Sequence, residues 1–140
     1  MNNPQQPTDW TDQAIETWRL KGIRLQKPVS MKAIAQFEQQ LQFVLPQDFI
    51  NLYTKVNGFE ENDWNEHMFS LWPLEKMLFE FKIRKDTNFI GFCDFLINSY
   101  PIGFYRSDGL IYKYDSQREL VTDNFRNFIL LLNTNDELLY

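Results

Sequence analysis

The chain has 140 residues, with one histidine, one cysteine and a formal net charge of −5. This length suits a single domain that folds without disulfides or metals, and the lone Cys93 excludes an internal disulfide. The acidic charge disfavours nucleic acid and anionic membranes as partners, because both attract basic surfaces. The negative charge is compatible with a basic protein partner. The alternative is that it only keeps the domain soluble.

The first eight residues are polar, contain two prolines and are predicted to form a flexible leader before a domain over residues 9–140. They lack the basic stretch and the apolar run of a signal peptide. No apolar window reaches the length of a transmembrane helix. We therefore expect a cytoplasmic protein.

Two amphipathic helices are predicted next. The first can begin at Asp9 or Thr11, since both side chains suit an N-cap, and Gly22 suits its end. Ser30 is a good N-cap for the second. Apolar residues recur at helical spacing in both segments; they are Ala14, Ile15 and Trp18, then Ile34, Phe37 and Leu41.

A third helix has the clearest signature. Pro46 suits the first helical position, and apolar residues follow at i, i+3, i+4 and i+7 between Phe49 and Val56. Asn57-Gly58 is predicted to end this helix, because both residues tolerate the left-handed conformation required there.

An acidic loop, residues 59–67, follows the third helix. It holds four carboxylates and one tryptophan without an intervening Lys or Arg: Glu60, Glu61, Asp63, Trp64 and Glu66. One interpretation is a recognition patch for a basic partner, with the tryptophan as an interface anchor. The other is a solvated loop whose tryptophan folds back onto the core.

The second half of the chain changes to β-type residues. Met68–Trp72 is predicted as a short strand, and Pro73 as the start of a short helix. Four strands follow, with Asp108-Gly109 as a type I′ hairpin turn and Thr122 or Asp123 as the cap of a last helix. The strands are placed at residues 89–97, 102–105, 110–114 and 119–121. Helices followed by an antiparallel meander predict an α+β fold rather than alternating βαβ units.

The usual catalytic motifs are absent from the sequence. It contains no phosphate-binding loop, no GxGxxG and no GxSxG nucleophile motif. His67 and Cys93 are too far apart in sequence to indicate a metal site. A Cys–His pair is disfavoured, because Cys93 lies in an apolar run typical of a buried, inert thiol, and a solvated role is expected for His67. We predict no catalytic residue, cofactor or metal, although the many carboxylates leave a paired acid/base site open.

Asp94 is unusual because it interrupts an apolar, strand-like run. A buried carboxylate without a partner is costly. Asp94 should therefore reach the solvent face of the sheet, cap a turn or pair with a basic group such as Arg106. A structural role is favoured, and Asp94 and Tyr105 are kept as secondary partner-binding candidates.

Several motifs in fixed order resemble the SUKH superfamily, which includes the Smi/Knr-type cell-wall regulators of fungi and many bacterial proteins. The resemblance covers about residues 30 to 133. Phe59 stands where the pattern often has a second Gly, and Asn124 where Ser is common before the last helix. The motifs are Phe37-Glu38, Leu45 to Tyr53, Asn57-Gly58, Ile90 to Asn98 and Phe125 to Ile129.

The resemblance implies a twisted antiparallel sheet flanked by helices, without a catalytic centre. Bacterial members are mostly immunity proteins, which bind and block a toxin, often a nuclease or another polymorphic toxin. The matched positions are core and caps, so the resemblance carries over no binding residues. The candidates come from the sequence itself: Glu60, Glu61, Asp63, Trp64, Glu66, Asp94 and Tyr105.

Three functions therefore remain open. The first is an immunity protein for a cognate, basic toxin, and the second is a regulatory or scaffold protein-interaction domain of the Smi/Knr type. The third is an enzyme or small-molecule binder, which would require a deep polar pocket with Asp94, His67 or Cys93 at its wall. The sequence does not indicate an oligomeric state.

Overall fold

The structure is a computed structural model that describes residues 9–114 and 117–140. The predicted leader, residues 1–8, lies outside the described residues, as do residues 115 and 116. The described elements are α1 (Trp10–Leu20), α2 (Met31–Leu41), α3 (Gln47–Tyr53), β1 (Phe69–Leu71), α4 (Leu74–Ile83), β2 (Phe89–Phe95), β3 (Tyr100–Tyr105), β4 (Ile111–Tyr114), β5 (Arg118–Thr122), α5 (Phe125–Thr134) and a 3₁₀ turn (Glu137–Leu139).

The five described strands form one open antiparallel sheet in sequence order, β1-β2-β3-β4-β5. Residues opposite each other in register share a face of the sheet. Ile90, Phe104 and Ile111 are therefore on one face, and they belong to the main core shared with the helices. Phe89 and Tyr105 are on the other face, in a separate aromatic cluster. The prediction of one α+β domain with an antiparallel sheet is confirmed.

The centre of the core is aromatic. Phe49 stacks on Tyr53 with ring centroids 4.0 Å apart, and its ring is tilted against that of Phe125 at 5.0 Å. Phe92 contacts Phe104 and Phe125 at about the same spacing, 4.8 and 5.2 Å. Large rings bury much surface per residue, so a small domain with short elements gains a substantial core from few positions.

Two helix starts are fixed by side-chain caps. The Ser30 hydroxyl accepts the Ala33 N–H at 3.1 Å, as predicted. The last helix is capped by Asn124, whose side chain accepts the Asn127 N–H at 2.7 Å. The prediction of Thr122 or Asp123 as this cap was wrong by one or two residues. Asn124 can replace Ser in the family pattern because both side chains present an oxygen to the same backbone donor.

The third helix is shorter than predicted. It ends at Tyr53, and Pro46 is its N-cap rather than its first helical residue. Asn57 instead caps α4: its side-chain oxygen accepts the Leu74 N–H at 2.9 Å. Gly58 has φ +71°, and a Cβ there would lie 2.6 Å from the carbonyl carbon and oxygen of Trp72. The Asn-Gly pair therefore joins the loop after α3 to the start of α4.

The connection between β3 and β4 also differs from the predicted type I′ turn. It spans residues 106–110, and only Gly109 in it has positive φ, at +71°. The Asp108 carboxylate accepts the Leu110 N–H at 2.9 Å and the Tyr112 O–H at 2.6 Å. Asp108 thus stabilises the loop through its side chain rather than through a left-handed backbone.

Helix α1 lies outside the family resemblance but is joined to the core by Trp18. The Trp18 indole N–H donates to the Asn133 side chain of α5 at 2.8 Å. Its ring meets Phe59 edge-on at 5.2 Å, and Phe59 is bridged to Leu25. Phe59, which stands where the family pattern often has a second Gly, therefore supplies the ring against which α1 packs.

Replacing Gly58 with alanine should destabilise the domain by about 2–5 kcal/mol, since it adds a left-handed backbone penalty to a clash with the Trp72 backbone. Gly109→Ala is the matched control, because Gly109 has the same φ and no atom within 4 Å of its Cβ position. It should cost only about 1–2 kcal/mol. Urea unfolding measures the loss of stability in both variants. Equal losses would show that the close contact between Gly58 and the Trp72 backbone does not matter for stability.

Candidate functional site

A groove of about 540 Å³ lies between the acidic loop, α4 and the turn that joins β2 to β3. We call it the acidic groove. Its charged lining residues are five carboxylates and one ammonium: Glu60, Glu61, Glu75, Glu80 and Asp94, with Lys76. Its apolar lining includes the rings of Trp64, Trp72 and Phe79 and the side chain of Ile97. Three of these apolar side chains are exposed, Trp64 by 36%, Phe79 by 62% and Ile97 by 64%.

The structure brings four of the seven predicted partner-binding residues together. Glu60, Glu61, Trp64 and Asp94 all line the acidic groove. The other three, Asp63, Glu66 and Tyr105, are not part of its lining.

Asp63 and Glu66 are engaged by basic residues that precede the loop in sequence. The Arg24 backbone N–H donates to Asp63 at 2.5 Å, and the Arg24 guanidinium lies 3.4 Å from the same carboxylate. Lys21 donates to Glu66 at 2.6 Å and holds the pKa of that carboxyl below its ordinary value. The loop itself contains no Lys or Arg, so these partners had no signal in the local sequence. Arg24 also lies 3.7 Å from the Glu60 carboxylate, so Glu60 belongs both to this ion-pair network and to the groove lining.

Asp94 has a structural role in the groove wall. Its side chain is buried and accepts the Trp72 indole N–H at 2.9 Å and the Asn98 backbone N–H at 2.7 Å. Of the three predicted alternatives, the structure shows the turn cap. The predicted pairing with Arg106 was wrong, because that guanidinium donates to backbone carbonyls such as Leu41 at 2.7 Å. Both Asp94 oxygens are therefore occupied by N–H donors.

The turn that Asp94 holds has an unusual backbone. Leu96, Ile97 and Asn98 have φ of 50°, 51° and 68°, all in the left-handed region. Such conformations are unfavourable for residues other than glycine, above all for β-branched Ile97. Strain of this kind persists only where the surroundings enforce it, and it concentrates at functional sites. Here it presents the Ile97 side chain at the edge of the acidic groove.

Tyr105 belongs to the aromatic cluster on the outer face of the sheet. It is 4% exposed, and the Arg118 guanidinium lies 4.3 Å from its ring centroid. Burial raises the pKa of its hydroxyl above the ordinary value. A partner would reach Tyr105 only after Arg118 moved away.

The only histidine and the only cysteine lie in different environments. Cys93 is fully buried, as predicted, and burial raises the pKa of its thiol well above the ordinary value. His67 is part-exposed, with Nε2 3.6 Å from the Glu66 carboxylate. Across residues 9–114 and 117–140, no group of three or more His, Cys, Asp or Glu could hold a metal ion. Nor does any helix in those ranges have the length and apolarity to cross a membrane.

Sequence reasoning missed the contribution of α4. The sequence predicted only a short helix from Pro73, and in the structure Leu74 and Met77 form the buried side of this helix. The opposite side supplies Glu75, Lys76, Phe79 and Glu80 to the groove. These residues recur at i, i+1, i+4 and i+5, so they share one helix face. An exposed phenylalanine between two glutamates on that face was the available signal.

Replacing Asp94 with asparagine should destabilise the domain by about 1–3 kcal/mol, because an amide offers one oxygen acceptor where the carboxylate offers two. Asp108→Asn is the control, since Asp108 also accepts two hydrogen bonds but is exposed. Its loss should be smaller. Urea unfolding gives both values, and a loss for Asp108→Asn equal to or greater than that for Asp94→Asn would refute the role given to buried Asp94.

The chain was also compared with known proteins. A model of the SMI1 / KNR4 family (SUKH-1) matches residues 28–138. A search of curated proteins finds no match. The matched range begins after α1 and includes the five described strands and every lining residue of the acidic groove except Gln26. The chain therefore belongs to the SMI1 / KNR4 family (SUKH-1).

Proposed function

We propose that this chain is an immunity protein: a non-catalytic domain that binds and neutralises a cognate toxin of a bacterial polymorphic toxin system. Family membership supports an immunity-like domain in general. The observation that carries the proposal further is the acidic groove, where carboxylates and exposed apolar side chains occur together. Nuclease toxins fit this surface well, because a cleft that binds phosphates is basic.

The charge of the groove supports recognition of a basic protein. Five carboxylates against one lysine produce a negative surface, which steers a basic partner and increases its association rate. Glu61 and Glu80 form no ion pair within the part of the chain that the structure describes. Their charges are therefore available to a partner.

The apolar residues of the groove support a stable complex after the encounter. Trp64, Phe79 and Ile97 can be desolvated by a partner, and tryptophan is enriched among residues that dominate binding energy. Neutralisation then follows from covering the toxin's substrate cleft, without contact with its catalytic residues. Asp63 and Glu66, already engaged by Arg24 and Lys21, are secondary candidates outside the groove lining. Tyr105 is a secondary candidate on the outer face.

A regulatory or scaffold domain of the Smi/Knr type is the alternative, since membership of the SMI1 / KNR4 family is also compatible with it. The alternative expects several partners of modest affinity and no toxin. A pull-down from the native host distinguishes the two functions. Genes adjacent to the one for this chain give a cheaper first test, because an immunity protein is expected beside a toxin or secretion-associated gene.

The double variant Glu61→Lys/Glu80→Lys should weaken binding to the toxin encoded beside this gene by roughly tenfold or more, mostly through the association rate. It should also reduce the survival of cells that co-express the toxin. Glu16→Lys/Glu137→Lys is the matched control, since it makes the same charge change at two exposed sites outside the groove.

Association rates and growth under toxin expression measure the effect. Failure of the unmodified protein to bind or block that toxin would refute the proposed function. Equal losses in the two double variants would place the interface away from the groove.

A further inference from the structure

The ring of Trp72 is in contact with a cation, the ammonium group of Lys76. The Lys76 ammonium lies 5.0 Å from the ring centroid, which is within the range of a cation–π interaction. Trp72 is 1% exposed although it lines the groove. Lys76 is the single basic residue among the groove's lining residues.

Lys76 is weakly held in this position. Within residues 9–114 and 117–140 it forms no ion pair, despite five carboxylates in the same lining. Its side chain is only half-buried, on the groove side of α4. A flexible lysine held by a ring alone can leave it at small cost, since an exposed cation–π contact is weak and the ammonium hydrates readily.

The ring itself is fixed rigidly. Its indole N–H donates to buried Asp94, and the Trp72 backbone N–H donates to Phe92 at 2.8 Å. Gly91 leaves room for the benzo ring, because a Cβ there would lie 2.9 Å from its Cζ3 atom. Asp94 brings a buried carboxylate next to the ring, and both its hydrogen-bond donors are neutral groups. Asp94 forms no ion pair within the described residues, so its charge can attract a cation placed on the neighbouring aromatic face.

We propose that Lys76 occupies a cation seat on Trp72 that a lysine or arginine side chain of the protein partner takes over on binding. The inference rests on the proposed function for the partner being a protein, and it specifies the chemistry by which the groove recognises it. The incoming cation gains contact with the ring and attraction to the charges of Asp94 and of the glutamates that line the groove. The ammonium group of the displaced Lys76 becomes hydrated.

If Lys76 occupies this position, removing its side-chain charge should strengthen the binding of another cation to Trp72. The probe is N-acetyl-arginine amide, with N-acetyl-citrulline amide as its neutral isostere, and the readout is the indole N–H signal of Trp72 in NMR spectra. The arginine probe should shift this signal at tens of millimolar and the citrulline probe should not. Lys76→Gln should tighten the arginine probe by about two- to fivefold.

Lys82→Gln is the matched control, because Lys82 is exposed on the same helix and does not line the groove. It removes the same charge and should leave the affinity for the probe close to that of the unmodified protein. Lys76→Arg keeps a cation over the ring and should not tighten binding. Urea unfolding checks that the three variants fold.

Three results would overturn the cation seat: no response of Trp72 to the arginine probe, an equal response to citrulline, or equal tightening in Lys76→Gln and Lys82→Gln. The last result would show general charge attraction only. Because no toxin is present in this experiment, its failure leaves the immunity function standing. Conversely, failure to neutralise a toxin would leave the measured seat intact.

Discussion

The contacts of Trp72 hold the parts of this domain in their relative positions. Its carbonyl accepts the Tyr53 hydroxyl from α3 at 2.5 Å, and its indole N–H donates to Asp94 on β2 at 2.9 Å. Gly58 packs against its backbone, while Lys76 of α4 lies over its ring. One residue between β1 and α4 thus connects the helical core, the sheet, the loop after α3 and the wall of the groove. These contacts fix the position of the Trp72 ring in the wall of the groove.

The fold was largely predictable because its signals are local. Apolar spacing placed the five helices of the described residues, and the change to β-type residues after Asn88 placed four of the strands. The errors occurred where one segment acts on another. Asn57-Gly58 has the composition of a helix end, but its partners are Leu74 and Trp72, which lie more than ten residues further along the chain. No local pattern could reveal that contact.

The candidate site was predictable only in part, for the same reason. Glu60, Glu61 and Trp64 were identified from their unusual composition, and Asp94 from its interruption of an apolar strand. The α4 face was missed because an exposed helix face carries charged residues in most proteins. The partners of Asp63 and Glu66 come from residues 21–24. The negative charge of the acidic loop is therefore partly neutralised by basic residues that its own sequence does not contain.

The Trp18–Phe59 contact sets a lower limit on how far this domain can be shortened. The family match begins at residue 28, yet the ring that covers Phe59 and the donor to Asn133 both come from α1. A fragment trimmed to the family boundary would leave a large aromatic side chain and part of the α5 surface facing water. Exposed apolar patches of this kind favour self-association. The contacts of the core therefore extend beyond the residues that the family model matches.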